Sequence, residues 1–199
     1  RDVVDVLRRV SDRVVRGTAP TILIRGETGT GKGLLAKCAH YNGVRRNHAF
    51  VELNCAAIPG TLLESELFGF ERGAFTDART SRAGLFETAH LGTLFLDEIG
   101  SMPPDLQAKL LTAIEEKRIR RLGGRQSVLV DVQIIAASHM DLGEKVKSGA
   151  FRADLYHRLN VVSVTIPPLR KRGEDKILLA ETFIASMCRE YAIPLRRLS

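Results

Sequence analysis

Residues 26–32 read Gly26-Glu27-Thr28-Gly29-Thr30-Gly31-Lys32, and the rest of the chain is arranged around them. An apolar run at 21–24 precedes this segment, and the helix-like sequence 34–39 follows it. A strand, a glycine-rich turn and a helix start in this order predict a phosphate cradle. The glycines let backbone N–H groups surround an anion, and the helix N-terminus adds partial positive charge. The alternative is a glycine-rich turn that binds no ligand.

The cradle predicts a nucleoside triphosphate as its ligand. Lys32 is expected to reach the β- and γ-phosphates, as the lysine of the pattern G-x-x-x-x-G-K does. Gly33 departs from the full pattern, because the residue after the lysine is normally a Ser or Thr whose hydroxyl binds Mg²⁺. The candidate nucleotide-binding residues are Gly26, Glu27, Thr28, Gly29, Thr30, Gly31, Lys32 and Gly33.

A second segment, Gly92-Thr93-Leu94-Phe95-Leu96-Asp97-Glu98, ends an apolar run in two acids. It predicts a buried parallel strand with carboxylates at its C-terminal end, where open α/β sheets bind their ligands. Adjacent side chains of a strand point to opposite faces, so the two acids can take different roles. We expect Asp97 to hold Mg²⁺, usually through water, and Glu98 to orient and polarise an attacking water.

Composition places the chain among soluble globular proteins. Its 199 residues are 44% hydrophobic and 27% charged, enough for one substantial core and part of a second lobe. No apolar run approaches the roughly 20 residues of a membrane span, and no signal peptide is recognisable. The three cysteines show no C-x-x-C spacing, which favours a reducing cytoplasm and argues against a disulfide scaffold or a zinc site.

The net charge of +7 predicts anionic partners, with nucleotide and nucleic acid as the first candidates. The basic residues are dispersed, and no helix-turn-helix, zinc finger or basic zipper is evident. We therefore do not expect this segment to read DNA directly. The five histidines, including His139, lack metal-ligand spacing and are expected to be surface or packing residues.

Hydrophobic periodicity predicts an alternation of strands and helices. Strands are expected at 21–25, 50–54, 92–98, 132–138 and 161–166, and helices at 2–16, from 32 to about 41, 61–67, from 103–104 to about 116, 151–159 and 174–191. Thr61 is the expected N-cap of its helix, with Glu64 completing a capping box. Between helix and strand, 68–78 carries three aromatic residues. One of Phe68 and Phe70 is expected to be buried, and Phe75 to lie at an exposed tip.

These motifs together resemble the AAA+ domain of the bacterial enhancer-binding proteins, the ATPases that activate sigma-54 RNA polymerase. Gly26–Lys32 is similar to the family's Walker A motif and Gly92–Glu98 to its Walker B motif. The family's hallmark loop has the sequence G-A-F-T-G-A, and the residues that resemble it here are Gly73, Ala74, Phe75, Thr76, Asp77 and Ala78. Residues 151–159 look like its arginine-finger helix, and the resemblance runs over essentially the whole chain.

The resemblance implies an α/β P-loop NTPase (AAA+) fold, a three-layer α/β/α sandwich with a mostly parallel central sheet. It implies a nucleotide-binding core over residues 1–166 and the beginning of a helical lid over 167–199. It also implies ATP and Mg²⁺ as cofactors and a hexameric ring with ATP between subunits. DNA would be bound through another domain outside this segment.

Three side chains outside the two motifs gain roles from the resemblance. Arg152 and Arg158 would serve a neighbour's γ-phosphate in trans. On a regular helix, six residues at 100° each place them about 120° apart, which predicts unequal roles. Asn54 matches a switch asparagine whose amide can donate a hydrogen bond to Glu98 in one nucleotide state and release it in another, which would couple the nucleotide to the loop. The alternative for Asn54 is a strand-end residue that satisfies local backbone groups.

Besides Gly33, two further segments depart from the family pattern. Asp77 stands where the hallmark loop has its second glycine, and it adds charge and bulk at a tip where a positive φ is expected. Ser138-His139 replaces the family's Thr-Asn sensor and keeps its hydrogen-bonding capacity.

Three functions are compatible with these motifs. The first is an ATPase that remodels sigma-54 holoenzyme so that promoter DNA can melt. The second is a regulatory ATP-binding module with little turnover, whose loop Asp77 has diverted to another protein partner. The third is a AAA+ motor acting directly on DNA, against which the hallmark loop argues. The paired acids Asp97 and Glu98, together with Arg152, argue against the second.

Overall fold

The computed structural model describes residues 19–173 and 175–194. The helix predicted over residues 2–16 lies outside the described residues. The chain divides into two compact units, Arg1–Ile166 and Pro167–Ser199. In the described part of the chain, no helix is both long enough and apolar enough to cross a membrane.

Nine strands occur in the described residues. In chain order they are β1 (Ile22–Arg25), β2 (Phe50–Asn54), β3 (Gly69–Phe70), β4 (Arg82–Ala83), β5 (Thr93–Asp97), β6 (Arg118–Arg120), β7 (Ser127–Leu129), β8 (Gln133–Ser138) and β9 (Val162–Thr165). The central sheet has the order β2-β5-β8-β1-β9, and each neighbouring pair is parallel. The remaining strands form two antiparallel hairpins, β3-β4 and β6-β7.

The helices of the first unit connect these strands. They are α1 (Lys32–Tyr41), α2 (Gly60–Phe68), α3 (Leu85–Thr88), α4 (Pro104–Glu116), α5 (Leu142–Lys147) and α6 (Ala153–Leu159). The second unit contains the 3₁₀ turn Leu169–Lys171 and helix α7 (Asp175–Glu190). The predicted start of α7, Glu174, lies outside the described residues.

Alternation along the buried strands produces a hydrophobic core on each face of the sheet. Ile22, Phe95 and Ile135 belong to one cluster, which includes Ala36 of α1. The opposite cluster contains Leu94 and Leu96, together with residues of α2, α3, α4 and α6. Since helices cover both faces of a parallel sheet, the predicted three-layer α/β/α fold is confirmed.

Two local predictions are wrong. Helix α2 begins at Gly60 after Pro59, and Pro59 makes no side-chain capping bond, so Thr61 is not the N-cap. The helix predicted over 151–159 begins at Ala153, because Arg152 has extended backbone angles and occupies the N-cap. Periodicity locates a helix but leaves its first turn uncertain by a residue or two.

Candidate functional site

The predicted cradle lies between β1 and α1. Gly29 and Gly31 have φ angles of 79° and 94°, a left-handed conformation that side-chain-bearing residues rarely adopt. Apart from the glycines' own chain neighbours, no atom lies within 4 Å of the Cβ position at either glycine, so the backbone angle and not lack of space favours glycine there. The hydroxyl of Thr30 donates to Glu27 O at 2.7 Å and holds the turn closed. This backbone can fit an anion at the start of α1.

Lys32 extends its ammonium group into the turn. Its side chain is only 6% exposed, and Nζ donates to Gly26 O at 3.0 Å and to Glu27 O at 3.3 Å. The same Nζ lies 3.4 Å from Glu98 Oε1. Strand β8 separates β1 from β5, yet the lysine of one motif and the acid of the other are in contact. The structure therefore brings the two motifs together at one site.

Asp97 and Glu98 stand at the carboxyl end of β5 in different conformations. Asp97 ends the strand, and its Oδ1 accepts the backbone N–H of Glu98 at 3.0 Å. Glu98 has φ 51° and ψ 44°, so a residue with a side chain occupies the left-handed region. Such backbone strain costs of the order of 1–3 kcal/mol and persists only where surrounding contacts hold it in place.

The surroundings shift the pKa values of the two carboxyl groups in opposite directions. Burial raises the pKa of Asp97 above its usual value. Burial also acts to raise the pKa of Glu98, but hydrogen bonds from His139 and the charge of Lys32 outweigh it and lower this pKa overall. Glu98 is consequently ionised at neutral pH, as a residue that polarises water must be.

Asn54 is in register with Asp97 on the adjacent strand β2. Its side-chain oxygen accepts the backbone N–H of Ala56 at 2.9 Å, as the local-backbone alternative expects. This bond does not use the amide nitrogen, the group that would donate to Glu98, so the switch role stays a prediction.

Glu98 is contacted by His139, whose Nδ1 lies 2.6 Å from Glu98 Oε2. The lack of metal-ligand spacing predicted a surface or packing role for His139, whereas the resemblance placed Ser138-His139 at the family's sensor position. The position of His139 directly after β8, a neighbour of β5, brings it to Glu98.

Two of the departures from the family pattern leave the site intact. A Cβ at Gly33 would lie 3.7 Å from the Phe95 ring, an ordinary contact, so space does not require a glycine there. The Ser138 hydroxyl is buried and exchanges hydrogen bonds of 3.0 Å with the backbone of Met140. Ser138 therefore uses its polar group to shape the strand end.

The two candidate finger arginines differ in their environments. At the N-cap of α6, the Arg152 guanidinium makes two hydrogen bonds, of 3.0 and 2.7 Å, to the Asp154 carboxylate. Arg158 lies in the last turn of α6 and is exposed. Its guanidinium makes no hydrogen bond or ion pair with residues 19–173 or 175–194. The prediction that both arginines are carried on the helix is wrong for Arg152.

Arg25, the last residue of β1, connects the cradle to α6 through hydrogen bonds that the sequence did not predict. Its Nη2 donates to the Tyr156 hydroxyl at 2.7 Å and to Asn160 Oδ1 at 3.2 Å. Tyr156 belongs to α6, and Asn160 follows it. The strand that enters the cradle is thus bonded to the helix that carries Arg158.

The hallmark-like loop projects from the β3-β4 hairpin. Phe75 is 45% exposed, and its ring lies 4.9 Å from that of Phe70 between centroids. Phe68 is buried, as predicted for one of the two aromatic residues. In the loop, Gly73 has a positive φ of 82°, whereas Asp77 does not, so the expectation of a positive φ at Asp77 is wrong. Asp77 is exposed and fits its backbone without strain.

The β6-β7 hairpin supports this loop from the side. Glu71 N donates to Leu122 O, and Leu122 N donates to Gly69 O, each at 2.9 Å. Arg121 adds a charged link, with contacts of 2.8 and 2.7 Å to the Glu87 carboxylate and 3.1 Å to Glu71. The base of the loop is therefore fixed while its tip stays exposed.

We expect Arg121→Met to lower the free energy of unfolding by about 1–2 kcal/mol at pH 7, between the values for exposed and buried ion pairs. Hydrogen bonds from Arg121 lower the pKa of Glu87, so their contribution is present above the usual Glu pKa and is lost as pH falls through the folded value. Urea unfolding at pH 7 and in the acid range measures both effects. Arg118→Met on the same hairpin is the control, and an equal loss in both variants would contradict the prediction.

Comparison with known proteins agrees with this geometry. The family model described as the sigma-54 interaction domain matches residues 2–165. Regulatory protein AtoC of Escherichia coli (strain K12) is 55% identical over 170 residues, covering 85% of this chain and 37% of AtoC. The Nif-specific regulatory protein of Azotobacter vinelandii is 51% identical over 191 residues, covering 95% of this chain and 37% of that protein.

Among solved structures, NtrX of Brucella abortus in complex with ATP superposes with a TM-score of 0.87 at 36% identity. The match covers 99% of this chain and 42% of the NtrX chain. This chain accordingly spans about two fifths of the length of each of these relatives.

Proposed function

Since the chain belongs to the sigma-54 interaction domain family of transcriptional activators, we propose that it hydrolyses ATP to remodel sigma-54 RNA polymerase holoenzyme for open-complex formation. The observation that carries this proposal is the contact between Lys32 Nζ and Glu98 Oε1, 3.4 Å apart beside the glycine cradle. A phosphate-binding lysine and an ionised acid at one site are the groups that phosphoryl transfer to water requires. The ATP bound by NtrX supports the same ligand here.

In the proposed reaction, a water oxygen bonds to the γ-phosphorus, and the bond from that phosphorus to the β–γ bridging oxygen breaks. Lys32 and the backbone N–H groups of the cradle bind the phosphates. Glu98 orients the water and accepts the proton that the water loses, and ADP leaves with the bridging oxygen. Asp97 supplies a carboxylate oxygen that would hold Mg²⁺, a cation that neutralises phosphate charge when bound.

The proposed assembly is a homo-oligomeric ring, with a hexamer expected. Arg158 is exposed, and within the described residues it has no partner, which suits a side chain that acts on a neighbouring subunit. We propose that the loop 73–78 contacts sigma-54, because Phe75 and Thr76 are exposed above a fixed base. Promoter DNA is proposed to be bound outside these 199 residues.

Capture of sigma-54 by the purified protein tests this function. We expect capture to require ADP–aluminium fluoride, and Phe75→Ala to weaken it by at least 10-fold, as removal of an aromatic anchor does. Asp77→Gly, which restores the family's glycine, is expected to retain or strengthen capture. Leu62→Ala removes a comparably exposed apolar side chain away from the loop and is the control.

ATP turnover is measured on the same proteins. Turnover without sigma-54 capture by any variant would contradict the sigma-54 role and favour a different protein partner for the loop. Nucleotide binding without turnover would contradict the ATPase and leave the regulatory module as the better function.

A further inference from the structure

Arg25 is a charged residue at the end of an otherwise apolar strand. Strand β1 alternates, with Ile22 and Ile24 in one core cluster and Leu23 in the other. Side chains two positions apart in a strand point to the same face, so Arg25 emerges on the face of Leu23. The buried residues of α6 belong to the cluster on that face, and the guanidinium of Arg25 therefore meets this helix.

A single nitrogen of Arg25 bonds two residues at the end of α6. Nη2 donates to the Tyr156 hydroxyl at 2.7 Å and to Asn160 Oδ1 at 3.2 Å, and the guanidinium carbon lies 5.7 Å from the centre of the Tyr156 ring. Asn160 Nδ2 donates to the same hydroxyl at 3.4 Å, which closes the network. Tyr156 lies two residues before Arg158 and Asn160 two residues after it. The two bonds from Arg25 therefore bracket Arg158 in the sequence.

Arg158 lies on the opposite side of α6 from these contacts. Residues two positions apart on a helix are separated by about 200°, so a helix that turns Tyr156 toward the core presents Arg158 outward. Tyr156 packs against the core cluster, and Arg158 is exposed. Bonds made on the inner side of the helix therefore set the direction of an outward side chain that they do not touch.

The burial of this guanidinium does not favour stability. Arg25 Nε is buried and has no hydrogen-bond partner within residues 19–173 and 175–194. A buried donor without a partner costs folding free energy, and a hydrophobic residue in place of a buried charged group is often neutral or stabilising. An arginine at this position is thus explained better by its connection to α6 than by packing of the core.

From this arrangement we infer that Arg25 is the positioning residue of Arg158. The inference rests on the proposed ATPase function. Arg25 directly precedes Gly26, so its guanidinium fixes the turn that carries Arg158 to the strand that forms the cradle of the same subunit. In the proposed ring, each subunit presents Arg158 to the γ-phosphate of its neighbour. Arg25 acts through Tyr156 and Asn160 and need not touch ATP. Loss of the connection therefore impairs the neighbour's site and leaves the cradle beside Arg25 intact.

The test compares variants with wild type in steady-state ATPase assays, ATP-binding measurements and urea unfolding. We expect Arg25→Met to lower kcat by about 10- to 100-fold, the effect of misplacing a reacting group by about 1 Å. Its Kd for ATP and its urea midpoint should stay close to those of wild type. The double variant Tyr156→Phe/Asn160→Ala removes both acceptors, keeps Arg25, and should lower kcat to a similar degree. Arg46→Met removes an exposed arginine and is the control.

Mixed rings determine which subunit carries the defect. Arg25→Met has an intact cradle, and Lys32→Ala has an intact Arg158 and Arg25, so a mixture of the two should turn over ATP faster than the variants separately. A mixture of Arg25→Met with Arg158→Ala should not recover, because neither variant presents a correctly placed arginine. Since both changes act on the same group, Arg25→Met/Arg158→Ala should be no slower than Arg158→Ala.

Each outcome decides a different claim. An unaffected Arg25→Met or Tyr156→Phe/Asn160→Ala in an active wild type would overturn this inference alone. The same holds if the kcat loss is explained by weaker ATP binding or by unfolding. Recovery of Arg25→Met by Arg158→Ala and not by Lys32→Ala would also overturn it, since the defect would then lie in the cradle beside Arg25. A wild type without turnover would overturn the proposed ATPase function and the inference together.

Discussion

Replacing Glu98 by glutamine is expected to lower kcat for ATP by about 10²- to 10⁴-fold, the usual contribution of a positioned acid or base. Glutamine has nearly the same shape, and its side-chain oxygen can still accept a hydrogen bond from His139. It lacks the negative charge that polarises water and pairs with Lys32. The loss should therefore fall on kcat and kcat/KM equally, with ATP affinity close to that of wild type.

Binding and turnover measured on the same preparations separate this prediction from simple misfolding. Lys32→Ala should weaken ATP binding, because the cradle loses the ammonium group that reaches the phosphates. Glu115→Gln, an exposed acid in α4, should behave as wild type. Unchanged turnover in Glu98→Gln, or a loss explained entirely by weaker ATP binding, would contradict the role proposed for Glu98.

Hydrophobic patterning was sufficient to predict the strands of the central sheet. The strands predicted at 21–25 and 92–98 are β1 and β5 within one residue at each end, and the strand at Phe50–Asn54 has the predicted bounds. Buried parallel strands are continuous apolar runs, and their connecting helices have their own period, so both signals are local. The cradle was predictable from sequence as well, because its glycines adopt backbone angles that few other residues tolerate.

The side-chain contacts of the site could not be predicted from local sequence patterns. Asn54 ends β2 and His139 directly follows β8, and both strands neighbour β5, so the orientation of each side chain decides which of the two residues contacts Glu98. The β6-β7 hairpin was missed as well, because 119–130 is basic and its short strands pack on the loop at 69–83 through Arg121 and backbone groups. Such pairings join residues about 50 positions apart, and no local pattern encodes them.

Arg158→Ala is expected to lower kcat by about 10³-fold, at the lower end of the effect of an arginine finger, and Arg152→Ala to have a smaller effect. The two arginines are expected to differ because only one of them has a partner among the described residues. Arg152 is paired with Asp154, each side chain being 47% exposed, so its guanidinium is already occupied within its own subunit. Arg158 is exposed and, among the described residues, has no partner to give up before it meets a neighbour's γ-phosphate.

Mixing variants tests whether Arg158 acts in trans. Arg158→Ala has an intact cradle, and Lys32→Ala has an intact Arg158. A mixed ring therefore contains interfaces at which the cradle of one subunit meets the arginine of the other, so the mixture should turn over ATP faster than the two variants separately. Arg46→Ala, an exposed arginine outside the site, is the control for loss of charge.

Failure of the mixture to recover activity, in rings shown to contain both variants, would contradict a trans role. A larger loss in Arg152→Ala than in Arg158→Ala would mean that the Asp154 pair breaks when subunits assemble. The hydrogen bonds from Arg25 to Tyr156 and Asn160 give a physical reason for the larger effect expected at Arg158. They fix the part of α6 around Arg158 to the strand that enters the cradle, whereas Arg152 lies before the first turn of that helix.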